Sequence, residues 1–293
     1  MRFRGSFVAL VTPFQEGGGL DEAALRRLVR RQLRSGTAGL VPCGSTGEAA
    51  TLTHEEFRRV VTLTLEESRG LLPVVAGVGT NDTAKAVELA REAESLGADA
   101  LLVLAPYYNK PTQDGLFQHF RAVARGTRLP VVVYNIPGRT AVNILPQTLL
   151  RIAAECPNVA AVKEASGSLD QVSEIVAGAP QGFAVLCGDD SLTVPMMSVG
   201  AAGVISVVAN LAPKPTAQLC AAALAGDFVK ARRLHLRLFP LVKALFLETN
   251  PIPVKAALEL MGLCRAEPRL PLTALTAANR ALLRRALAAR GLL

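Results

Sequence analysis

Short apolar runs alternate with longer amphipathic segments along most of the chain. The runs are rich in Val, Ile and Leu and are bounded by turn residues, which is typical of buried strands. They cover residues 7–12, 39–44, 73–79, 100–106, 130–137, 159–166, 183–190 and 203–210. Strands that are apolar on both faces belong to parallel sheets covered by helices. The pattern therefore predicts an α/β protein with eight parallel strands.

The segments between the apolar runs carry helix start and stop signals. Capping side chains precede several of them, and glycines follow, at Asp21, Thr53, Asp82, Thr112 and Ser168 and at Gly36, Gly70, Gly97 and Gly178. Eight such units within residues 1–225 close most simply into a (β/α)8 TIM barrel. A doubly wound sheet is the alternative, but no G-x-G-x-x-G motif follows the first run.

The pattern changes after Gly226. No further strand is predicted, and residues 228–247, 253–262 and 272–291 have helical periodicity. We expect a catalytic barrel over residues 1–225 and a C-terminal helical domain over residues 226–293. That second domain carries no chemical motif, so we expect it to serve packing or oligomer contacts.

Composition excludes several classes of function. The net charge is +8, but the arginines are spread over most predicted helices and the chain has no Trp, which argues against nucleic-acid binding. No apolar run reaches the roughly 18–20 residues that span a bilayer. No cleavage site follows the first run, and we expect a cytoplasmic protein. The five cysteines and three histidines have no metal-ligand spacing, so we predict no metal.

One lysine stands out at the end of an apolar run. Lys163 follows Val159–Val162 and is the only one of seven lysines predicted to lie in a strand. Burying an ammonium group without a partner is costly, and desolvation favours the neutral amine, which can attack a carbonyl. Two alternatives remain, a side chain that extends to the surface and an ion pair with Glu164.

Other chemically useful residues lie at the ends of predicted strands, where the active site of such a barrel is found. All three tyrosines, Tyr107, Tyr108 and Tyr134, lie there; a phenol can transfer protons, although aromatic rings also fill cores. The turn 44–48, GSTGE, offers N–H groups and hydroxyls that suit a small carboxylate, or it is only a tight turn. Arg139 follows Pro-Gly and is placed to bind a second carboxylate.

Four segments give the chain a family resemblance: GSTGE (44–48), APYYNKPTQDGLFQHF (105–120), YNIPGRT (134–140) and VKEASG (162–167). The chain resembles the dihydrodipicolinate synthase family of pyruvate-dependent class I aldolases, whose superfamily includes N-acetylneuraminate lyase. The resemblance extends over nearly the whole chain. GSTGE, YNIP and the lysine are shared across the superfamily, whereas the Gly-Arg-Thr continuation at 138–140 points to the synthases.

The resemblance implies a reaction and the residues that perform it. Pyruvate would condense with L-aspartate 4-semialdehyde to give 4-hydroxy-tetrahydrodipicolinate and water, at the entry to diaminopimelate and lysine. Lys163 would bind pyruvate as a Schiff base, without a separate cofactor. Tyr134 would relay protons together with Ser45 and with Tyr108 from a neighbouring subunit, in a homotetramer built as a dimer of dimers.

The resemblance also implies the substrate-binding groups. Thr46 would bind the carboxylate of pyruvate and Arg139 that of the semialdehyde, with Gly188 and the backbone of Ile205 lining the pocket. Ser45 replaces the family's usual threonine. Serine keeps the hydroxyl and loses the methyl group that restricts its rotamer, so we expect activity to be retained.

The lysine-inhibited members of this family suggest a point about regulation. Their inhibitor pocket lies at the dimer interface, near the GSTGE helix and the Asn-Asp-Thr turn. Asn81, His54 and Tyr107 match that pocket here, whereas Lys85 replaces a glutamate, Phe57 a histidine and Ala49 a small hydroxyl residue. A lysine ligand would meet a like charge at Lys85, and we expect L-lysine not to inhibit.

Two other functions compete with the synthase. The first is a pyruvate-dependent aldolase that acts on a sugar acid or on hydroxy-oxoglutarate, but a polyol acceptor does not need a cation such as Arg139. The second is a non-catalytic barrel that binds an oxo acid. The presence of Lys163, Tyr134 and Tyr108 together argues against it.

Overall fold

Eight parallel strands form one sheet that closes on itself. The computed structural model describes residues 1–293. Neighbouring strands pair in the order β2-β1-β8-β7-β6-β5-β4-β3, and a parallel bridge from Leu40 to Val74 joins the two ends. The strands are β1 (Gly5–Ala9), β2 (Gly39–Val41), β3 (Val75–Gly77), β4 (Ala100–Leu104), β5 (Val131–Asn135), β6 (Val159–Glu164), β7 (Ala184–Cys187) and β8 (Gly203–Ser206). The predicted TIM barrel is confirmed.

Helices cover the outside of the barrel, and five of them follow the predicted caps. The side chains of all five predicted N-cap residues accept hydrogen bonds from N–H groups in the first turn of their helices. The helices are α1 (Glu22–Leu33), α2 (His54–Ser68), α3 (Thr83–Leu96), α4 (Gln113–Arg125), α5 (Pro137–Thr140), α6 (Pro146–Glu155), α7 (Leu169–Gly178), α8 (Thr193–Ser198), α9 (Pro213–Leu224), α10 (Phe228–Ala244), α11 (Ile252–Leu260) and α12 (Ala277–Ala288).

Most strands are shorter than the apolar runs that predict them. The run 39–44 contributes only Gly39–Val41 to the sheet, and the run 203–210 leaves the sheet after Ser206 and forms a short 3₁₀ turn. Many of the remaining apolar residues lie in the loops at the carboxyl ends of the strands. The C-terminal region contacts two of these loops, through the hydrogen bonds of Asn250 with Thr46 and Arg139.

The core has two layers because strand residues alternate between the faces of the sheet. Twelve buried residues fill the barrel interior, and a larger cluster lies between the strands and the helices. In β6, Ala161 belongs to the inner cluster and Val162 to the outer one. The inner cluster consists of Phe3, Phe7, Ala9, Val41, Val75, Ala100, Leu102, Val132, Tyr134, Ala161, Leu186 and Ile205.

The C-terminal helices share the outer core of the barrel. Leu241, Val254 and Leu283 from α10, α11 and α12 belong to the same buried cluster as the strand residues. The division into domains at residue 226 stays a prediction. The expected helix start at residue 272 is wrong, since α12 begins at Ala277. The preceding Thr276 is extended, and both its N–H and its hydroxyl donate to Glu248, which holds the segment outside the helix.

A buried ion pair joins this C-terminal region to the barrel. Lys255 in α11 is fully buried and donates to Glu48 Oε1 and, at 2.7 Å, to the Glu267 carbonyl oxygen. Glu48 Oε2 accepts the Arg269 N–H at 2.9 Å. Burial lowers the pKa of Lys255, and the adjacent Glu48 carboxylate partly offsets that effect. Both charges are thus compensated inside the protein.

Removing one partner of this pair is expected to destabilise the fold strongly. Lys255→Ala leaves the Glu48 carboxylate buried without its cation, which costs about 3–5 kcal/mol. Urea denaturation measures the change. The control is Arg59→Ala, because the Arg59–Glu22 pair is largely exposed and such pairs contribute at most about 1 kcal/mol. Equal, small losses in both variants would show that the buried pair is not a major support of the fold.

Candidate active site

Lys163 lies inside the carboxyl end of the barrel. In the sheet it is in register with Tyr134 of β5 and Leu186 of β7, both members of the inner cluster. The residue is only 5% exposed, and its Nζ lies 4.0 Å from the centre of the Tyr134 ring. Nζ forms no hydrogen bond or ion pair with any residue of the chain. The structure therefore presents an amine that has no acidic partner.

The neighbouring Glu164 faces the opposite side of the strand. Its carboxylate accepts hydrogen bonds from Asn135 Nδ2 at 3.0 and 3.2 Å, from Ser166 N–H at 2.6 Å and from Gln171 Nε2 at 3.1 Å. The alternative in which Lys163 pairs with Glu164 is therefore wrong. The alternative in which Lys163 extends to the surface is also wrong, given its burial.

A glycine makes room beside the Lys163 side chain. A Cβ at Gly188 would lie 3.2 Å from Lys163 Cε and 2.7 Å from Ala165 Cβ, which is too close for any larger residue. The Gly188 N–H donates to the Glu164 carbonyl at 2.7 Å, so the loop after β7 is held against β6. Ile205 of β8 lines the same interior and is 2% exposed.

The GSTGE turn presents unused hydrogen-bond donors. The N–H groups of Gly47 and Glu48 donate to the carbonyls of Gly44 and Ser45, which closes the turn. The N–H groups of Ser45 and Thr46 have no acceptor in the chain. Two adjacent free N–H groups next to two hydroxyls form a cradle for a small anion such as a carboxylate.

Thr46 and Arg139 are connected through one residue of the C-terminal region. Asn250 is 5% exposed; its Nδ2 donates to Thr46 Oγ1 at 2.9 Å, and its carbonyl accepts from Arg139 Nη2 at 2.9 Å. Arg139 itself lies in the short helix α5 and is exposed. Asn250 is not among the residues predicted from the sequence. It lies in the segment 250–255, NPIPVK, 204 residues from Thr46, and its neighbours in sequence do not indicate this contact.

The predicted proton relay is not assembled within one chain. The Tyr108 side chain is 88% exposed, and its φ of 74° is in the left-handed region, which is uncommon for a large residue. Ser45 is half-buried, and its hydroxyl has no partner in the chain. The structure thus brings Tyr134 and Gly188 to Lys163 and leaves Tyr108 exposed on the surface.

A buried carboxylate supports the wall of the site. Asp190 Oδ2 accepts the N–H groups of Val207 at 2.9 Å and Val208 at 2.8 Å. Burial raises the pKa of Asp190, and hydrogen bonds from Ser206 and these N–H groups oppose that rise. The carboxylate ties the loop after Gly188 to the end of β8. Asp190 ends the predicted apolar run 183–190, and the sequence does not indicate this role.

The structure contains neither a metal-binding cluster nor a membrane-spanning helix. No group of three or more His, Cys, Asp and Glu side chains is arranged to hold a metal ion. No helix combines the length and the apolar character needed to cross a membrane.

All five cysteines are free thiols, and burial raises the pKa values of Cys220 and Cys264 to about 12.

The model of the dihydrodipicolinate synthetase family matches residues 2–290. The chain belongs to this family. Family membership makes it an enzyme of the lyase class and agrees with the resemblance carried by the four motifs.

Relatives and solved structures of this family cover the whole chain. The 4-hydroxy-tetrahydrodipicolinate synthase of Pelobacter propionicus is 53% identical over 281 residues, 96% of each chain. The crystal structure of dihydrodipicolinate synthase from Thermotoga maritima has a TM-score of 0.98 and 48% identity and covers 100% of both chains. The family member from Cyanidioschyzon merolae, solved with lysine bound, has a TM-score of 0.97 and 40% identity, again over 100% of both chains.

Proposed function

We propose that the chain is a 4-hydroxy-tetrahydrodipicolinate synthase that condenses pyruvate with L-aspartate 4-semialdehyde. The observation that carries this proposal is the buried, unpaired amine of Lys163 beside the Tyr134 ring. A buried amine without a carboxylate partner is suited to attack a carbonyl rather than to stabilise the fold. Relatives that carry this enzyme name support the choice of substrates.

The proposed chemistry proceeds through an imine on Lys163. Nζ attacks the keto carbon of pyruvate, and loss of water gives a protonated Schiff base. The positive nitrogen draws electrons from the methyl carbon, which loses a proton and becomes an enamine. That carbon attacks the aldehyde carbon of the second substrate and forms the new C–C bond, and the aldehyde oxygen takes up a proton. The amino group of the second substrate then displaces Lys163 Nζ from the imine carbon, which closes the ring and frees the lysine. Tyr134, with Ser45 and Tyr108, would deliver and remove the protons.

The proposed binding groups are assigned by charge and position. The free N–H groups of Ser45 and Thr46 and the Thr46 hydroxyl would hold the carboxylate of pyruvate. Arg139, exposed at the rim, would hold the carboxylate of the semialdehyde. Gly188 and Ile205 would form the wall beside the imine.

We also propose a homotetramer, a dimer of dimers, in the cytoplasm. The exposed Tyr108 ring would complete the proton relay of a neighbouring subunit, and two-fold symmetry would let each subunit complete the other. Free cysteines suit a reducing compartment. Sedimentation velocity at assay concentration measures the oligomeric state directly. A fully active monomer would contradict the proposed homotetramer.

Lys163→Ala is expected to abolish the pyruvate adduct. Wild-type protein treated with pyruvate and borohydride should gain the mass of one reduced adduct on the peptide that contains Lys163. The variant should gain none, since the only other buried lysine, Lys255, is held in an ion pair with Glu48. Lys214→Ala, which removes an exposed lysine at the start of α9, is the control and should trap normally. An adduct of equal stoichiometry in Lys163→Ala would refute the assignment.

Arg139→Ala is expected to separate the two substrates. The pyruvate adduct should form as in the wild type, while turnover with the semialdehyde falls by about thirtyfold or more, because a charged contact worth at least about 2 kcal/mol is lost. Steady-state kinetics and trapping measure the two effects. Equal damage to both would contradict this division of roles. Activity of the wild type on a sugar acid, but not on the semialdehyde, would favour the alternative aldolase.

L-lysine at millimolar concentration is expected to leave activity unchanged. Lys85 is exposed in the first turn of α3, and two like charges about 4 Å apart repel by roughly 4 kcal/mol at an effective dielectric near 20. The imidazole of His54, one of the residues that match the inhibitor pocket, already contacts a carboxylate of the chain: its Nε2 lies 2.9 Å from Glu92 Oε2. Lys85→Glu is the matched variant and should gain sensitivity. Saturable inhibition of the wild type below 1 mM would overturn the proposal.

A further inference from the structure

Asn250 contacts both residues proposed to bind carboxylates, Thr46 through its side chain and Arg139 through its main chain. Its side-chain amide touches Thr46, and its main-chain carbonyl accepts from Arg139. The residue is 5% exposed and lies in the segment that leads into α11, outside the barrel strands. A change of side chain at this position therefore alters the contact with Thr46 and keeps the acceptor for Arg139.

The contact with Thr46 has a direction that matters for ligand binding. A hydroxyl has one proton to donate and two lone pairs that accept. Thr46 Oγ1 accepts from Asn250 Nδ2, so its own proton is free to be donated elsewhere. Asn250 Oδ1 has no hydrogen-bond partner, which shows that the hydroxyl does not donate back to the amide. Hydrogen bonds in such a chain strengthen one another.

A carboxylate can only accept hydrogen bonds. The two free N–H groups of the GSTGE turn already point to an anion as the ligand of this turn. A Thr46 hydroxyl whose lone pair is occupied by Asn250 adds a third donor to the same cradle. If Thr46 instead donated to residue 250, the hydroxyl would turn an oxygen lone pair towards the ligand and repel it.

We propose that Asn250 is a positioning residue that makes the Thr46 hydroxyl a hydrogen-bond donor to the carboxylate of the keto-acid substrate. The proposal rests on the proposed function, because it takes Thr46 as part of the keto-acid site. The main chain of Asn250 independently holds the Arg139 guanidinium at the rim. One buried residue from the C-terminal region thus serves both substrate sites.

Asn250→Asp and Asn250→Ala test the direction of this hydrogen bond. Aspartate has nearly the same shape but only accepts, so it takes the Thr46 proton and adds a negative charge near the anion. The pyruvate concentration that gives half-maximal borohydride trapping should rise at least about tenfold for Asp and less for Ala, because a hydrogen bond to a charged group is lost. The KM for the semialdehyde should change by less than about threefold, since the Arg139 contact is retained.

Asn158→Asp is the matched control. Asn158 precedes β6 at the opposite end of the barrel, and its Nδ2 donates to the carbonyls of Ala124, Thr127 and Leu129. This variant also replaces a partly buried amide donor by a carboxylate. It should lower the melting temperature and leave the half-saturating pyruvate concentration unchanged. An Asn250→Asp variant that binds pyruvate as the wild type does would overturn the proposal, since it would mean that Thr46 donates to residue 250.

A double-mutant cycle with Thr46→Val tests whether Asn250 acts through the Thr46 hydroxyl, even if Asn250→Asp does not fold. Valine keeps the shape of threonine and removes the hydroxyl. Asn250→Ala should weaken pyruvate trapping in the wild-type background and have little further effect beside Thr46→Val, because neighbours that act through one contact are not additive. Equal effects in both backgrounds would refute the role assigned to Asn250. Absence of trapping in the wild type would refute the proposed function instead.

Discussion

An amine without an acidic partner, held inside a closed barrel, is the constraint on which the proposed chemistry depends. The side chains of β6 alternate, so Ala161 and Lys163 face the interior while Val162 and Glu164 face the helices. A shift of one residue in the register of β6 would exchange lysine and glutamate. The donors that surround Glu164 on the outer face oppose that shift, because a carboxylate moved inside would lose all of them. The position of the amine is thus secured by its neighbour.

Much of this arrangement follows from local patterns in the sequence. The apolar runs located every strand, and the capping residues located the starts of α1, α2, α3, α4 and α7. Thr53, for example, forms a full capping box with Glu56. Lys163 could be selected because the other six lysines lie in loops or helices, where charged side chains ordinarily reach water. These features depend on residues that are close in sequence, which is why the pattern was sufficient.

The residues that hold the site in shape could not be found in this way. Lys255 reaches Glu48 across 207 positions, and Asn250 reaches Thr46 across 204. Each lies near α11, a helix whose sequence reads as an ordinary apolar core segment. Long-range polar pairs leave no periodic signal, because only the folded chain brings the partners together. A lysine surrounded by Ile, Pro, Val, Ala and Leu was the one available hint, since a charge in such a segment needs a buried partner.

The distribution of buried charge supports the proposed binding of anionic substrates. The buried acidic groups near the carboxyl end of the barrel all accept hydrogen bonds from the chain: Glu48 from Lys255, Glu164 from amide donors and Asp190, through Oδ2, from backbone N–H groups. The groups left without partners include the Lys163 amine and the N–H groups of Ser45 and Thr46, which can donate hydrogen bonds or carry positive charge, together with the Ser45 hydroxyl and the Asn250 Oδ1 acceptor. In a barrel interior of low dielectric these donors interact strongly with a bound carboxylate. In the proposed function these donors suit the carboxylate of the keto acid, whereas the choice between an acidic acceptor and a polyol rests on Arg139.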